Sequence, residues 1–141
     1  MAMTITFPGG KKVDASWGKF TVHTDQHPAA GGEGTAPEPY SHFLASIGTC
    51  AGIYVLGFCQ SRGIPTEGLR LTQDHEFDPK THRLIKVRLD IEVPPGFPMK
   101  YLGSLKLAAD QCAVKRTILD PPAFEISAQP ARAALGATPA S

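Results

Sequence analysis

The sequence contains little charge and no uninterrupted long apolar run. Only 19% of its 141 residues are charged and the formal net charge is +1, so no strong field would recruit nucleic acid or an anionic membrane surface. Serine, threonine and glycine interrupt the longest mostly apolar stretch, residues 43–58, which favours a core helix over a membrane span. The N-terminal residues also lack the pattern of a signal peptide. We expect neither a nucleic-acid partner nor a membrane partner.

Cysteine is scarce as well. Three cysteines are too few, and odd in number, for a secreted domain held together by disulfides. We therefore predict a cytoplasmic protein, in which thiols stay reduced unless chemistry oxidises them.

Several cofactor and metal motifs are absent. The sequence has no CxxC, HExxH, GxxxxGK[ST], GxGxxG or GxSxG pattern. Cys50 and Cys59 lie nine residues apart on one predicted helix, so they point to opposite sides and cannot chelate one ion. The HxxxH spacing of His23 and His27 runs from a strand end into a loop, where it does not align two imidazoles. We predict no metal site and no cofactor.

Hydrophobic periodicity predicts an alternation of strands and helices. The first half is predicted as three short strands, a loop rich in glycine and proline, and a long core helix, at residues 4–7, 12–15, 19–24, 25–38 and 40–62. The second half is predicted as a strand pair, a second long helix and a last short strand, at residues 69–77, 85–93, 99–119 and 123–128. This order is typical of an α+β fold. We expect one domain over residues 1–128 and a flexible tail over residues 129–141.

Two cysteines in unlike helical segments are the main functional candidates. Cys50 lies in the first predicted helix and Cys112 in the second. Such a pair can be two inert core thiols, or an attacking thiol with a resolving thiol. Cys59 has no notable sequence context and fits the role of a core residue.

A reactive Cys50 would need help to become a thiolate. It lies well past the start of its own helix, so that helix dipole is of no use to it. The cation would have to come from elsewhere in the fold or from another subunit, and because no arginine precedes Arg62, the N-terminal segment offers only lysines and histidines. The candidates are Lys11, Lys12 and Lys19, followed by the weaker His23, His27 and His42.

Two segments resemble the OsmC/Ohr family. One is the stretch Pro-Tyr-Ser-His-Phe-Leu-Ala-Ser-Ile-Gly-Thr-Cys at residues 39–50, and the other is Cys-Ala-Val-Lys at residues 112–115, followed by two prolines and a predicted strand. The resemblance covers roughly residues 10–128. It implies an intertwined homodimer with curved antiparallel sheets and two long core helices, active sites at the dimer interface, and reduction of organic hydroperoxides.

The resemblance also implies roles for individual residues. Cys50 takes the position of the peroxidatic thiol and Cys112 that of the resolving thiol, with an external dithiol as the reductant and a small-molecule hydroperoxide as the substrate. Ser41, Phe43 and Tyr54 are the expected substrate-binding residues, and Phe43 and Tyr54 would provide apolar contacts. Ser41 occupies the position of the family's acidic residue, and the N-terminal segment lacks the family's arginine.

These two departures support an alternative function on the same fold. The protein would then be a non-catalytic binding protein for an apolar or electrophilic small molecule. Cys50 would serve it as a contact or as a slow redox sensor.

Overall fold

The computed structural model describes residues 1–130, which form two antiparallel sheets and three α-helices. The elements are β1 (Thr4–Gly9), β2 (Lys12–Trp17), β3 (Phe20–Val22), α1 (Pro39–Ser61), β4 (Arg70–Phe77), β5 (Leu84–Glu92), α2 (Leu102–Ala109) and α3 (Ala113–Leu119). Two single turns of 3₁₀-helix, Pro28–Ala30 and Met99–Tyr101, precede α1 and α2. The expected α+β class is confirmed.

The N-terminal sheet has the strand order β1-β2-β3. Ile5 pairs with Ala15, and Ala15 pairs with Val22, so apolar side chains collect on one face. Trp17 and Phe20 extend this face, with ring centroids 6.1 Å apart. The three predicted strands are confirmed, with β1 and β2 each running two residues further than expected.

Asp25 organises the loop between β3 and α1. Its side chain is fully buried and accepts hydrogen bonds from the backbone N–H groups of Gln26, Glu33 and Thr35 and from the Thr35 hydroxyl. At Gly32 the loop folds so tightly that a Cβ atom would lie 2.0 Å from the Gln26 carbonyl oxygen. The loop therefore has a defined path, although its composition alone indicates only irregular structure.

Helix α1 begins at Pro39, where the missing N–H costs no hydrogen bond. It ends before Gly63, which takes the left-handed conformation (φ 64°) that favours glycine. One side of the helix is buried, at Ile47, Ala51, Val55, Phe58 and Cys59. The sequence predicts a helix enclosed on nearly all sides, but the protomer covers only this one, and Ile53 remains 60% exposed.

By length and composition alone, α1 is long and apolar enough to cross a membrane, with a mean hydropathy of 1.5. A core helix has the same properties. Here α1 packs against β4, α2 and α3, as a core helix does.

The β4–β5 hairpin is confirmed nearly at its predicted bounds. Its register pairs Arg70 with Glu92 and Leu71 with Ile91. Alternating residues are partly buried along both strands, so one face of the hairpin packs on the protein and the other faces solvent.

The main core lies between α1, α2 and the hairpin. Its buried members are Val55, Phe58, Cys59, Ile64, Phe97 and Leu105. The Arg62 guanidinium lies 3.8 Å from the centroid of the Phe58 ring and closes one end of this cluster.

The single helix predicted over residues 99–119 is wrong. The chain forms a 3₁₀ turn, then α2, then α3, with a break over residues 110–112. At the break Cys112 leaves the helical conformation (φ −50°, ψ 120°), and its sulfur accepts the N–H of Lys115 at 3.3 Å. Cys112 thereby becomes the N-cap of α3, and the break lets its side chain be buried (1% exposed) against α1.

The strand predicted over residues 123–128 is also not formed. These residues have no regular structure, and Phe124 and Ile126 are almost fully exposed. An alternating pattern becomes a strand only where another strand is available for pairing, and this segment has none within residues 1–130. Of the predicted tail, residues 131–141 lie outside the described part of the chain.

Candidate functional site

The thiols of Cys50 and Cys112 meet where α1 crosses the start of α3. Cys50 is partly exposed on α1, and Cys112 is buried at the α3 N-cap. Each thiol shifts the pKa of the other, as expected of neighbouring side chains. The Cys112 sulfur also donates to the Ile47 carbonyl oxygen at 3.8 Å, which anchors it one turn before Cys50 on α1. The fold therefore brings together two thiols that are 62 residues apart in sequence.

The surroundings of Cys50 favour its thiolate form. The backbone N–H of Val114 has the largest effect in lowering the pKa of the Cys50 thiol, followed by the Cys112 thiol, while the Ala113 N–H and the charge of Arg116 also contribute. Partial desolvation opposes them. The first turn of α3 thus supplies the stabilisation that the dipole of α1 cannot provide.

Cys112 has the opposite tendency. Burial raises the pKa of its thiol, and the neighbouring Cys50 raises it further, because two thiolates side by side would repel each other. The N–H groups of Lys115 and Val114 offset part of this effect. The arrangement therefore makes Cys50 the more acidic of the two thiols and Cys112 the less acidic.

The third cysteine, Cys59, belongs to the hydrophobic core. It is fully buried among Val55, Phe58 and Leu105, and burial raises the pKa of its thiol. These surroundings match the structural role expected from the sequence.

The lysines considered as activators of Cys50 have other contacts. Lys12 forms an ion pair with Glu33, and the Lys19 ammonium lies 5.5 Å from the centroid of the Phe20 ring. The cation whose charge lowers the pKa of Cys50 is instead Arg116 on α3, which the sequence reasoning did not consider for this role.

The other predicted site residues are distributed over two faces of α1. Phe43 precedes Cys50 by seven residues and Tyr54 follows it by four, which puts both near the Cys50 face of the helix. Phe43 is partly exposed and stacks on Tyr40 with ring centroids 5.5 Å apart, and Tyr54 is half-buried. Ser41 is nine residues from Cys50 and lies on the opposite face, so one protomer does not bring it to the sulfur.

Ser41 instead lines an open groove between α1 and the hairpin. The groove has a volume of about 620 Å³, and its walls include Leu44, Gly48, Gln73 and His75. The Gln73 amide nitrogen donates to the Leu44 carbonyl oxygen at 2.9 Å, while its buried Oε1 has no hydrogen-bond partner. A Cβ atom on Gly48 would lie 2.6 Å from that oxygen, so glycine is what allows Gln73 to approach the helix.

A second cavity of about 350 Å³ lies on the Cys112 side of the thiol pair. Ile47, Leu89 and Ile118 contribute to its apolar wall, and Lys106 and Lys115 also line it. The ammonium of Lys115 forms an ion pair with Asp110. Apolar surface therefore lies directly next to the buried thiol.

Within residues 1–130, no three or more histidine, cysteine, aspartate or glutamate side chains are grouped so that they could hold a metal ion. His23 pairs with Asp14 at 2.7 Å, and His27 accepts the N–H of Ala29.

The contributions of α3 could not be found from periodicity. The Ala113 and Val114 N–H groups carry no side-chain signal, and residues 99–119 have one continuous helical pattern. One sequence feature could have indicated that α3 contributes a charge near the thiols. Arg116 lies four residues after Cys112 and therefore one turn further along a helix.

Comparison with known proteins identifies the family. The profile of the OsmC family, described as OsmC-like protein, matches residues 32–127. The chain therefore belongs to the OsmC family. No curated protein sequence has significant similarity to it.

Solved structures share the fold at low sequence identity. A protein from Psychrobacter arcticus, described as an osmotic stress induced and detoxification response protein, has a TM-score of 0.66 and 17% identity, with 83% of this chain and 87% of that chain covered. OsmC from Legionella pneumophila, described as an organic hydroperoxide resistance protein, has a TM-score of 0.52 and 17% identity, with 84% and 89% covered. These likenesses confirm the expected OsmC-like fold.

Proposed function

We propose that this protein is a thiol-dependent hydroperoxide reductase, with Cys50 as the peroxidatic thiol and Cys112 as the resolving thiol. Membership of the OsmC family supports a role in redox or peroxide chemistry. The observation that carries the proposal is the proximity of two thiols, with the Cys112 sulfur held at the Ile47 carbonyl one turn before Cys50 and their pKa values shifted in opposite directions.

The proposed chemistry needs both protonation states. The Cys50 thiolate attacks one oxygen of the hydroperoxide, the O–O bond breaks, and the departing alkoxide takes up a proton to become an alcohol. Cys50 is then a sulfenic acid. The Cys112 sulfur attacks it, a disulfide forms, and water leaves with the Cys112 proton. An external dithiol reduces this disulfide by exchange and is itself oxidised to a disulfide.

Organic hydroperoxides are the proposed substrates. Phe43 and Tyr54 near the Cys50 face, and the apolar cavity beside Cys112, would favour an alkyl or aryl group over hydrogen peroxide alone. Because turnover depends on a dithiol reductant, we place the protein in the reducing cytoplasm.

We further propose that the protein works as a homodimer. The apolar face of the N-terminal sheet is uncovered within the protomer, where Ile5 is 52% and Phe7 79% exposed. Much of α1 is also uncovered. Exposed apolar surface of this extent is typical of a protein interface. In light scattering coupled to gel filtration, we expect twice the chain mass of 15.0 kDa, and a mass of one chain would contradict the dimer.

Peroxide consumption tests the catalytic proposal. Reduced protein is mixed with cumene hydroperoxide or hydrogen peroxide, with dithiothreitol as reductant, and peroxide loss and free thiols are followed together. We expect Cys50→Ser to abolish consumption. When dithiothreitol is left out, Cys112→Ser should keep one turnover and accumulate a sulfenic acid that dimedone traps, and Cys59→Ser should behave as the parent.

One result would overturn the proposal. If the parent consumes neither peroxide while all three thiols remain titratable, the protein is not a hydroperoxide reductase. A faster reaction with hydrogen peroxide than with cumene hydroperoxide would contradict only the proposed substrate class.

A second candidate function is the binding of a small molecule without catalysis. The open groove along α1 favours it, because apolar residues such as Leu44 and Leu71 line its wall together with the polar side chain of Gln73. Native mass spectrometry of the purified protein would then show a bound mass that is retained in Cys50→Ser and lost in Gln73→Leu. The absence of any such mass from protein purified under non-denaturing conditions would count against this function.

A further inference from the structure

The cavity beside the thiol pair includes Cys112 in its wall but not Cys50. Its apolar wall comes from α1, β5 and α3, with Ile47, Leu89 and Ile118 among its residues. At about 350 Å³ it has room for a small organic molecule. A molecule that enters this cavity therefore reaches the thiol pair from the Cys112 side.

The charged residues of the cavity wall carry a net positive charge. Two ammonium groups, on Lys106 and Lys115, line the cavity together with one carboxylate, on Asp110. Lys115 is paired with Asp110, whereas none of the ion pairs within residues 1–130 involves Lys106. Because the nucleophile of thiol–disulfide exchange is a thiolate, this charge favours its entry.

Once Cys50 and Cys112 have formed a disulfide, an external thiolate has two sulfurs to attack. The thiolate approaches one sulfur from the side opposite the sulfur that it expels. Attack on Cys112 therefore comes from the side of the cavity and expels Cys50. The less basic thiolate leaves faster, and the pKa of Cys50 is lowered whereas that of Cys112 is raised, which favours the same direction.

We propose that the external dithiol enters through this cavity and attacks the Cys112 sulfur, with Cys50 as the leaving group. A bond forms between the first reductant sulfur and Cys112, the Cys50–Cys112 bond breaks, and Cys50 departs as a thiolate. The second thiolate of the reductant then attacks the first reductant sulfur. The reductant leaves as a disulfide, and Cys112 departs as a thiolate and takes up a proton.

This inference deepens the proposed function and rests on it for the origin of the disulfide, although a chemical oxidant such as diamide makes the same bond without peroxide. Solvent exposure alone predicts the opposite direction of attack, because Cys50 is partly exposed and Cys112 is buried. The two directions leave the reductant on different cysteines, so they can be distinguished by experiment.

The position of the first mixed disulfide tests the inference. The full chain is oxidised with diamide, freed of reagent, and mixed with one equivalent of butanethiol. The reaction is quenched with acid at early times, and fragment mass spectrometry locates the adduct. We expect butanethiol on Cys112 and a free thiol at Cys50. Butanethiol on Cys50, alone or in equal amount, would overturn the inference, as would the failure of diamide to join the two cysteines.

Filling the cavity tests the route in a second way. In Ile118→Trp the indole occupies part of the cavity, so reduction of the disulfide by dithiothreitol should slow by about tenfold or more, since a displacement of 1 Å can cost about 10²-fold. The control Leu107→Trp adds the same ring to α2 outside the cavity wall, at a side chain that is 67% exposed, and should match the parent. Equal rates in the two variants would contradict the route.

Removing one charge from the cavity should have a smaller effect. Lys106→Gln should slow reduction by roughly two- to threefold, the effect of one exposed charge, and Lys86→Gln on the hairpin serves as its control. Circular dichroism establishes that the helices of each variant are intact. Equal rates in the two lysine variants would show that the charge of the cavity does not assist the thiolate.

Peroxide consumption by the parent separates this inference from the proposed function. An adduct on Cys112 in a protein that consumes no peroxide would overturn only the proposed function. An active enzyme with its adduct on Cys50 would overturn only the proposed direction of reduction.

Discussion

Cys50 and Cys59 lie on the same helix, but their surroundings differ in nearly every respect. Cys59 points into the apolar core, where nothing except the more distant charge of Arg62 favours its thiolate. Cys50 points at the first turn of α3, where backbone N–H groups and Arg116 favour its thiolate. The pKa of the thiol is raised at Cys59 and lowered at Cys50.

The comparison teaches that burial by itself does not decide ionisation. Asp25 is as completely buried as Cys59, yet its hydrogen bonds lower its pKa to about 2. Desolvation raises the pKa of an acid, and hydrogen bonds to the charged form lower it, so the balance of the two decides the direction. Each prediction below tests one side of this balance.

The largest expected difference is in reactivity. At pH 7 we expect iodoacetamide to modify Cys50 about 10²-fold faster than Cys59 in the folded protein, because Cys50 is more ionised and partly exposed whereas Cys59 is neither. Peptide mass spectrometry over time gives both rates in one sample. In 8 M urea the two rates should converge, and a difference that persisted there would assign the effect to local sequence instead of the fold.

For the stability of the fold, we expect Cys59 to matter more than Cys50. Cys59→Ser introduces a hydroxyl group into the apolar core, so we expect the free energy of unfolding to fall by about 1–3 kcal/mol. Cys50→Ser should change it by less than about 0.5 kcal/mol, because the site is partly exposed and polar. Urea unfolding at one fixed protein concentration measures both, since the stability of a dimer depends on concentration. Equal losses in the two variants would contradict the contrast.

The smallest expected effect is a dependence of stability on pH at Asp25. Its folded pKa of about 2 lies below its usual 3.8, so its contribution is complete above about pH 4 and disappears as the pH falls towards 2. Unfolding of the parent and of Asp25→Ala should therefore differ most near neutral pH and converge at low pH. Glu67→Ala, which removes an exposed carboxylate, serves as the control. A parallel pH dependence of parent and Asp25→Ala would show that this carboxylate does not couple folding to pH.

The local sequence pattern was sufficient to predict most of the secondary structure. The residues of α1 and of the β4–β5 hairpin repeat at the periods of a helix and a strand, and each element has a clear stop signal in glycine or proline. The break before α3 has no such signal. It forms because burying the Cys112 side chain against α1 and capping the Lys115 N–H together stabilise a non-helical residue at that point.

The candidate site was only partly predictable. Cys50 and Cys112 were identified through their family resemblance, and the fold brings their thiols together. The same reasoning sought a cation among the N-terminal lysines and missed Arg116, because sequence spacing does not report which helix ends face each other. It also grouped Ser41 with Cys50, although helical geometry puts the two on opposite faces of α1.

The sequence by itself determined the α+β class, the long apolar helix, the hairpin and the identity of the two thiols, because these depend on short-range periodicity and on motifs that survive at low identity. Only the tertiary structure decided which thiol is the more acidic. That property depends on the N–H groups and the charge that α3 directs at α1, and groups this far apart in the chain meet only after folding.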